Sequence, residues 1–308
     1  MKLYIFNPEN DMALASASPG YTPPANIKEY RRVHWELPRL WAREDDVVWD
    51  GESSLKPLFE GVAEVPEICP WGWSPALAHE LELAGVPKEF LPSREYLSQL
   101  RMLSSRESTV PVQQALGIDA MVCNSLEDVE QCVARWGEVV MKSPWSSSGK
   151  GLMMLDNPNW SNWVARILRL QGSVIVERMM DKRQDFAMEF WMSAGVARYV
   201  GLNVFATDAH GHFLENEEAL QEDKWNMIAR MLANEEQLTT IRQYFETRLA
   251  EMAPWYEGPV GVDMMVLANG ELHPCIEINW RMTMGMVEVM RRGALNVYRN
   301  THKKTENP

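Results

Sequence analysis

A predicted β-hairpin near the C-terminal end of the sequence places the strongest constraint on the fold. Two runs rich in Val, Ile, Leu and Met, residues 259–267 and 271–279, flank the pair Asn269-Gly270. An Asn-Gly pair accepts the positive φ angles of a tight turn, so the two runs are predicted to form adjacent antiparallel strands. Any fold for this chain must therefore contain a sheet that includes this hairpin.

Both strands of the hairpin carry polar side chains where apolar ones are expected. Asp263 lies inside the first strand, and Glu277 and Asn279 follow at an interval of two in the second, so the latter two share a face. A symmetric turn would pair Asp263 with Ile276 and leave Glu277 on the opposite face. One extra residue in the second strand, at a bulge near Pro274, would bring Asp263 opposite Glu277.

The polar residues of the hairpin predict a cation site. Two carboxylates and an amide oxygen on one face, with Arg281 just beyond the second strand, suit Mg²⁺ with nucleotide phosphates completing its ligand shell. The alternative is a hairpin whose polar side chains only face water. The hairpin alone does not decide between the two interpretations.

The composition of the whole chain restricts the class of protein. It has 308 residues, with 30 Lys and Arg against 43 Asp and Glu and a net charge of −13, which disfavours nucleic acid and anionic membranes as partners. The scattered cysteines predict free thiols in a reducing compartment, and the short apolar run at residues 1–6 does not resemble a signal peptide. No run is long enough to span a bilayer. We therefore expect a soluble cytoplasmic protein.

Short strands and helices alternate in residues 1–98, which predicts a small α/β domain with a parallel sheet. Ligands of such sheets bind at loops next to the strand ends, here residues 7–11, 21–26 and 71–74. Turn formation explains these loops almost as well. Later in the chain, His210 and His212 have no partner at metal-binding spacing, so a surface turn is expected there rather than a zinc site.

A loop of small residues at 146–151 lies between two predicted strands. Its Gly and Ser residues allow backbone N–H groups to approach phosphate oxygens, while Lys150 and the preceding strand residue Lys142 add positive charge. A later apolar strand ends at Glu177, and Asp185 and Glu189 follow it, an arrangement suited to a nucleotide cleft. The alternatives are a surface turn for the loop and a solvated segment for the carboxylates.

The order of these features resembles the ATP-grasp superfamily of carboxylate–amine and carboxylate–thiol ligases over roughly residues 99–295. The resemblance implies a small pre-ATP-grasp-like domain at residues 1–98 and an ATP-grasp domain at 99–308, with the nucleotide between two sheets. Its phosphate-loop subdomain is expected at about 139–175 and its metal-binding subdomain at about 176–298. It also implies ATP with Mg²⁺ or Mn²⁺ as cofactors, and small-molecule carboxylate and amine substrates.

The resemblance assigns a role to each candidate site residue. Lys142 would contact the α-phosphate and adenine, Glu177 to Met180 would form the adenine hinge, and Asp185 would bind ribose. Arg281 would contact the transferred phosphate, and it and Lys150 are the expected catalytic residues. The remaining positions are the nucleotide-binding Arg106, Ser146, Ser147, Ser148, Gly149, Gly151, Met179 and Met180, and the metal ligands Asp263, Glu277 and Asn279.

Two positions depart from the family pattern. Arg106 stands where the family usually has a lysine, which preserves the charge for phosphate binding. The spacing from Asp263 to Glu277 is one residue longer than usual, which the predicted bulge would absorb. The implied activity is an ATP-dependent carboxylate–amine ligase that works through an acylphosphate. A small-molecule kinase and an inactive nucleotide-binding regulatory protein remain alternatives, and a homodimer is one expected oligomeric state.

Overall fold

The computed structural model describes residues 1–62, 64–146, 151–207, 213–217 and 219–291, with backbone alone at 213–216. The strands of this part of the chain are β1 (Lys2–Ile5), β2 (Val47–Val48), β3 (Glu67–Pro70), β4 (Ala120–Cys123), β5 (Val139–Lys142), β6 (Leu152–Met154), β7 (Val174–Arg178), β8 (Lys182–Ser193), β9 (Val196–Thr207), β10 (Phe213–Asn216), β11 (Gly258–Leu267) and β12 (Leu272–Asn279). The α-helices are α1 (Asn10–Ser16), α2 (Ala25–His34), α3 (Pro75–Leu83), α4 (Arg94–Leu103), α5 (Arg106–Ala115), α6 (Leu126–Trp136), α7 (Trp160–Gln171), α8 (Gln221–Met231), α9 (Glu236–Met252) and α10 (Met284–Arg291). Short 3₁₀ helices occupy Leu37–Leu40, Lys56–Leu58 and Lys88–Phe90.

The N-terminal sheet is parallel, with the strand order β2-β1-β3, as the alternation of strands and helices predicts. Leu3 and Ile5, which share one face of β1 because they are two residues apart, are buried with Leu77 and Leu81 of α3. Ser74 caps α3 by accepting a hydrogen bond from the backbone N–H of Leu77 at 3.2 Å.

A second sheet is antiparallel, with the order β4-β7-β5-β6. Helices α6 and α7 pack on it around Val129, Val164 and Val176, which are all fully buried. A capping box fixes the start of α6, because Ser125 and Asp128 each bond to the backbone N–H of the other. This sheet positions Lys142 at the end of β5 and Glu177 near the end of β7.

The largest sheet is also antiparallel, with the order β10-β9-β8-β11-β12. Along β8, Phe186, Met188 and Phe190 are fully buried in the main core together with α9, whereas Asp185 and Glu189 lie on the opposite face. The strand period of two separates these sets, and the same alternation occurs along β11. One face of the sheet is therefore apolar and the other carries the carboxylates.

The hairpin of β11 and β12 confirms the predicted pairing of Asp263 with Glu277. The irregularity lies between the pairs Asp263–Glu277 and Met265–His273, so it includes Pro274 as expected. It contains two extra residues rather than one, because Val266 pairs with Leu272 and not with His273, the partner that a symmetric Asn-Gly turn would give it. The prediction of the pairing was right and that of the bulge size was wrong.

Several elements differ from the sequence-based expectation. Strands β4 and β10 were not predicted from the sequence. No helix within the described residues combines the length and apolar composition required to cross a bilayer. All four cysteines lie in described segments and are free thiols, as predicted. His210 and His212 lie outside the described residues, and the domain boundaries remain predictions.

Candidate active site

The three predicted metal ligands lie together on the polar face of β11 and β12. Asp263 and Glu277 are directly opposite each other, and Asn279 Nδ2 donates to Asp263 Oδ2 at 3.1 Å. Burial, followed by the negative charge of Glu277, raises the pKa of Asp263 to about 7. The Glu277 carboxylate thus lies close enough to disfavour ionisation of Asp263.

This set of oxygen donors fits a hard divalent cation, because positive charge would offset both the burial of the Asp263 carboxylate and its repulsion by Glu277, the two largest causes that raise its pKa. Only two carboxylates are present, and the described residues hold no group of three or more His, Cys, Asp and Glu that could bind a metal ion. An ion held here would need further oxygen ligands from a substrate. Asn279 directs Nδ2 rather than Oδ1 toward Asp263, so its amide would have to turn to serve as a ligand.

Arg106 links the phosphate-loop region to this face. It is the first residue of α5 and is 6% exposed. Its Nη1 donates to Ser146 Oγ at 2.7 Å and to the Ser143 carbonyl at 2.8 Å, and its Nη2 donates to Glu277 Oε2 at 2.8 Å. One guanidinium therefore contacts both the base of the loop and a predicted metal ligand.

The two ends of the predicted phosphate loop lie close together. The Ser143 N–H donates to the Gly151 carbonyl at 2.8 Å. A Cβ atom at Gly151 would come within 2.2 Å of Ser143 Oγ and 2.3 Å of Ser146 Oγ, so only glycine fits at this position. The loop residues Ser147, Ser148, Gly149 and Lys150 lie outside the described residues.

Lys142 and Glu177 form a buried ion pair on the neighbouring strands β5 and β7. The distance from Nζ to the carboxylate is 2.7 Å, and the two side chains are each 6% exposed. Lys142 Nζ also donates to the carbonyl of Ile276, next to Glu277, at 3.5 Å. The pair therefore lies beside β12 but does not bond to the predicted metal ligands.

The predicted adenine hinge connects the two antiparallel sheets. Met179 is 41% exposed, and its backbone N–H donates to the Glu138 carbonyl at 2.9 Å. Met180 follows it in the linker between β7 and β8. Asp185, on β8, shares the polar face with Asp263, and its Oδ2 accepts from Lys182 Nζ at 2.7 Å and from Thr207 Oγ1 at 2.6 Å.

Arg281 joins the polar face to the N-terminal part of the chain. Its Nε and Nη2 contact the carboxylate of Asp11 in α1, and its Nη2 donates to Asn279 Oδ1 at 3.1 Å. Burial lowers the pKa of Arg281, but the carboxylates of Asp11, Glu277 and Asp263 together outweigh this effect and raise the pKa above its usual value. A hydrogen bond of 2.8 Å from the Met282 N–H to the Trp71 carbonyl strengthens the connection.

The predicted loops 7–11 and 71–74 thus do reach Arg281, but the sequence did not indicate Asp11 in particular. Asp11 could be found only through the tertiary structure, because 270 residues separate it from its partner. Glu189 follows Asp185 in the candidate nucleotide cleft but was given no individual role. Its Oε1 accepts from Thr283 Oγ1 at 2.9 Å, and burial raises its pKa to about 8. The available signal for Glu189 in the sequence was its place between Met188 and Phe190, on the strand face opposite these apolar residues.

Comparisons with known proteins identify the fold. The biotin carboxylase–beta-gamma-ATP complex of Campylobacter jejuni matches 95% of this chain and 70% of its own, with a TM-score of 0.54 and 16% identity. Phosphoribosylamine–glycine ligase of Thermotoga maritima matches 98% and 75%, with a TM-score of 0.53 and 14% identity. These enzymes share one fold. The chain has the ATP-grasp fold.

The sequence comparisons agree with the ATP-grasp fold but are weaker. The butirosin acyl-carrier protein–L-glutamate ligase of Niallia circulans is 26% identical over 170 residues, which cover 52% of this chain. The match covers only 38% of that relative's length. No model of a known protein family matches the chain.

A third ATP-grasp structure, N5-carboxyaminoimidazole synthetase of Staphylococcus aureus with ADP, matches 92% of this chain and 70% of its own, with a TM-score of 0.51 and 12% identity.

Proposed function

We propose that this protein is an ATP- and Mg²⁺-dependent ligase that joins a carboxylate to an amine or a similar nucleophile through an acylphosphate. One observation carries the proposal: Arg106 contacts Ser146 and Glu277 at the same time. In an ATP-grasp fold, this arrangement would bring a phosphate-binding cation, the base of the phosphate loop and a metal-binding carboxylate together. Catalysis of phosphoryl transfer depends mainly on positioning and electrostatics, which such a group can supply.

The nucleotide would bind between the four-stranded and five-stranded sheets. Lys142 would contact the α-phosphate, the linker from Glu177 to Met180 would border adenine, and Asp185 would accept from a ribose hydroxyl. The backbone N–H groups of residues 146–151 and Arg106 would bind phosphate oxygens. The N–H of Met179 already donates to Glu138, so adenine would be recognised by other backbone groups of the linker.

Asp263, Glu277 and Asn279 would hold the metal ion, with Mn²⁺ as an alternative to Mg²⁺. When bound, such an ion neutralises the negative charge on phosphate oxygens and orients them for transfer. Glu277 now pairs with Arg106, and Asn279 Oδ1 pairs with Arg281. Nucleotide binding therefore requires an exchange of partners, in which the two arginines pass from protein acceptors to phosphate.

The proposed reaction has two steps. An oxygen of the substrate carboxylate attacks the γ-phosphorus, and ADP leaves. The nucleophile then attacks the acyl carbon, loses its proton and expels inorganic phosphate. Arg281 and Lys150 would stabilise the transferred phosphoryl group, and closure of the loop at residues 146–151 would exclude water from the acylphosphate. No protein nucleophile is needed.

Residues 1–98 would act as a pre-ATP-grasp-like domain that contributes to the acceptor pocket, since Asp11 and Trp71 both contact the Arg281–Met282 segment. The relative from Niallia circulans ligates L-glutamate to an acyl-carrier protein, so L-glutamate is the first substrate to test. A homodimer remains a prediction that size-exclusion chromatography with light scattering would test.

Product analysis tests the proposal. The purified protein is incubated with Mg²⁺-ATP, a panel of carboxylates that includes L-glutamate, and amine or thiol acceptors. A ligase releases ADP and inorganic phosphate in equal amounts only when both substrates are present, and an ¹⁸O label on the carboxylate appears in the phosphate. ADP formation with a stable phosphorylated product and no free phosphate would instead favour a kinase. Binding of Mg²⁺-ATP without turnover across a broad panel would favour a regulatory protein.

A further inference from the structure

The guanidinium of Arg281 is almost fully occupied by acceptors of the protein itself. Nε lies 2.8 and 3.0 Å from the two oxygens of Asp11, and Nη2 lies 2.8 Å from Asp11 Oδ2. Nη2 also donates to Asn279 Oδ1 at 3.1 Å, and Nη1 donates to the Met282 carbonyl at 2.9 Å. Of the five N–H groups of an arginine, these contacts leave one for another ligand.

Asp11 holds the edge of Arg281 that is best suited to an anion. Two parallel N–H groups on Nε and Nη2 form the fork with which arginine binds carboxylates and phosphates in bidentate geometry. The cavity beside this pair has a volume of about 10 Å³, which is enough for about one water molecule. A substrate carboxylate or phosphoryl group can therefore reach this edge only if Asp11 moves away.

The helix that carries Asp11 is also attached to the base of the phosphate loop. Arg101 Nε donates to the Leu14 carbonyl at the end of α1 at 2.8 Å. The same guanidinium stacks 4.1 Å above the ring of Trp145, which directly precedes Ser146. One side chain thus connects α1 to Trp145, the residue before the start of the loop.

We propose that Asp11 is a specificity-determining residue that occupies the anion-binding edge of Arg281 and is displaced by the anionic group of the substrate. Asp11 thereby restricts this position to ligands that bind arginine better than an internal carboxylate does, namely carboxylate and phosphoryl groups. Neutral groups cannot displace it. The inference rests on the proposed function in assigning this anion to the reaction, whereas the competition itself can be measured without nucleotide.

Titration with inorganic phosphate alone tests the competition, with tryptophan fluorescence as the readout because Trp280 precedes Arg281. Asp11→Asn keeps the size of the side chain and removes its charge. We expect the half-saturating phosphate concentration of this variant to fall about tenfold, as expected for the loss of a competing charge-assisted contact. The matched control is Glu9→Gln, which removes the same charge two positions away but whose partner is Arg31. It should leave phosphate binding unchanged.

The tighter phosphate binding of Asp11→Asn should also require Arg281. In an Arg281→Gln background, Asp11→Asn should therefore not improve phosphate binding. Phosphate binding by Asp11→Asn that is equal to or weaker than that of the wild type would overturn the proposal and make Asp11 a structural support of Arg281. If Asp11→Asn does not fold, Asp11→Ser is measured in its place. Failure of both variants to fold would also overturn the proposal. A separate titration of the wild type with Mg²⁺-ATP tests the proposed function, whose failure would leave the phosphate comparison intact.

Discussion

Arg106 Nη2 and Glu277 Oε2 are 2.8 Å apart, although 171 residues separate them in the sequence. The contact joins the start of α5 to the last strand of the five-stranded sheet. It gives the buried arginine a counter-charge and at the same time occupies a carboxylate that is predicted to bind metal. Among the described residues of the candidate site, Arg106, Lys142 and Arg281 each already have an anionic partner within the protein.

Replacement of Arg106 by lysine should destabilise the protein even though it preserves the charge. A single ammonium cannot reproduce the three contacts of the guanidinium with Ser143, Ser146 and Glu277. We expect the free energy of unfolding to fall by about 1–3 kcal/mol, the usual cost of leaving buried charged hydrogen bonds unmade. Urea denaturation measures the loss. The exposed Arg166→Lys in α7 is the control, and an equal effect in both variants would contradict the structural role of Arg106.

The buried pair of Lys142 and Glu177 should show strong coupling in a double-mutant cycle. Lys142→Met or Glu177→Gln alone leaves one buried charge without its partner, which costs about 3–5 kcal/mol of stability. Replacing both by uncharged residues should cost less than the sum of the two single changes. The same cycle at the exposed pair of Arg32 and Glu29 should show no measurable coupling. Additive effects at Lys142 and Glu177 would show that the pair does not behave as a buried unit.

Glu189 should make the stability of the protein depend on pH. Burial raises its pKa to about 8 in the folded state, from an ordinary value of 4.5. The contribution of protonated Glu189 to the free energy of unfolding is therefore fully present below about pH 4.5 and is lost as the pH rises through about 8. The free energy of unfolding falls by at most about 1.4 kcal/mol per pH unit over this range. Glu189→Gln imitates the protonated form, so its stability relative to the wild type should increase between pH 5 and pH 8. Parallel stability profiles of the two proteins would show that Glu189 titrates normally.

The hairpin and the helices with strong start signals could be predicted from the sequence because their information is local. The Asn-Gly turn, Ser74 before Pro75 and the capping box of Ser125 with Asp128 each act within a few residues. The pairing of Asp263 with Glu277 was predictable as well, since the two-residue period and the missing N–H of Pro274 limit the register. The size of the bulge was not, because it depends on where the turn is centred.

The contacts that complete the site depend on tertiary structure. Nothing near Asp11 in the sequence indicates a partner, and its ion pair exists only because α1 packs against the segment that follows β12. The pairing of Arg106 with Glu277 likewise requires helix α5 to pack beside strand β12. Local patterns therefore identified most of the charged residues of the site, but they could not show which of them neutralise one another.

Binding of Mg²⁺-ATP tests the central claim most directly. We would measure the thermal unfolding of the wild type and of Asp263→Asn with ATP alone, with Mg²⁺-ATP, and with Mg²⁺-ATP plus EDTA. A ligand that binds only the folded state raises the melting temperature by mass action. We expect Mg²⁺-ATP to raise the melting temperature of the wild type, and we expect this shift to be lost with EDTA and in Asp263→Asn. No shift in the wild type, or an equal shift in the variant, would contradict the assignment of this site to a metal–nucleotide complex.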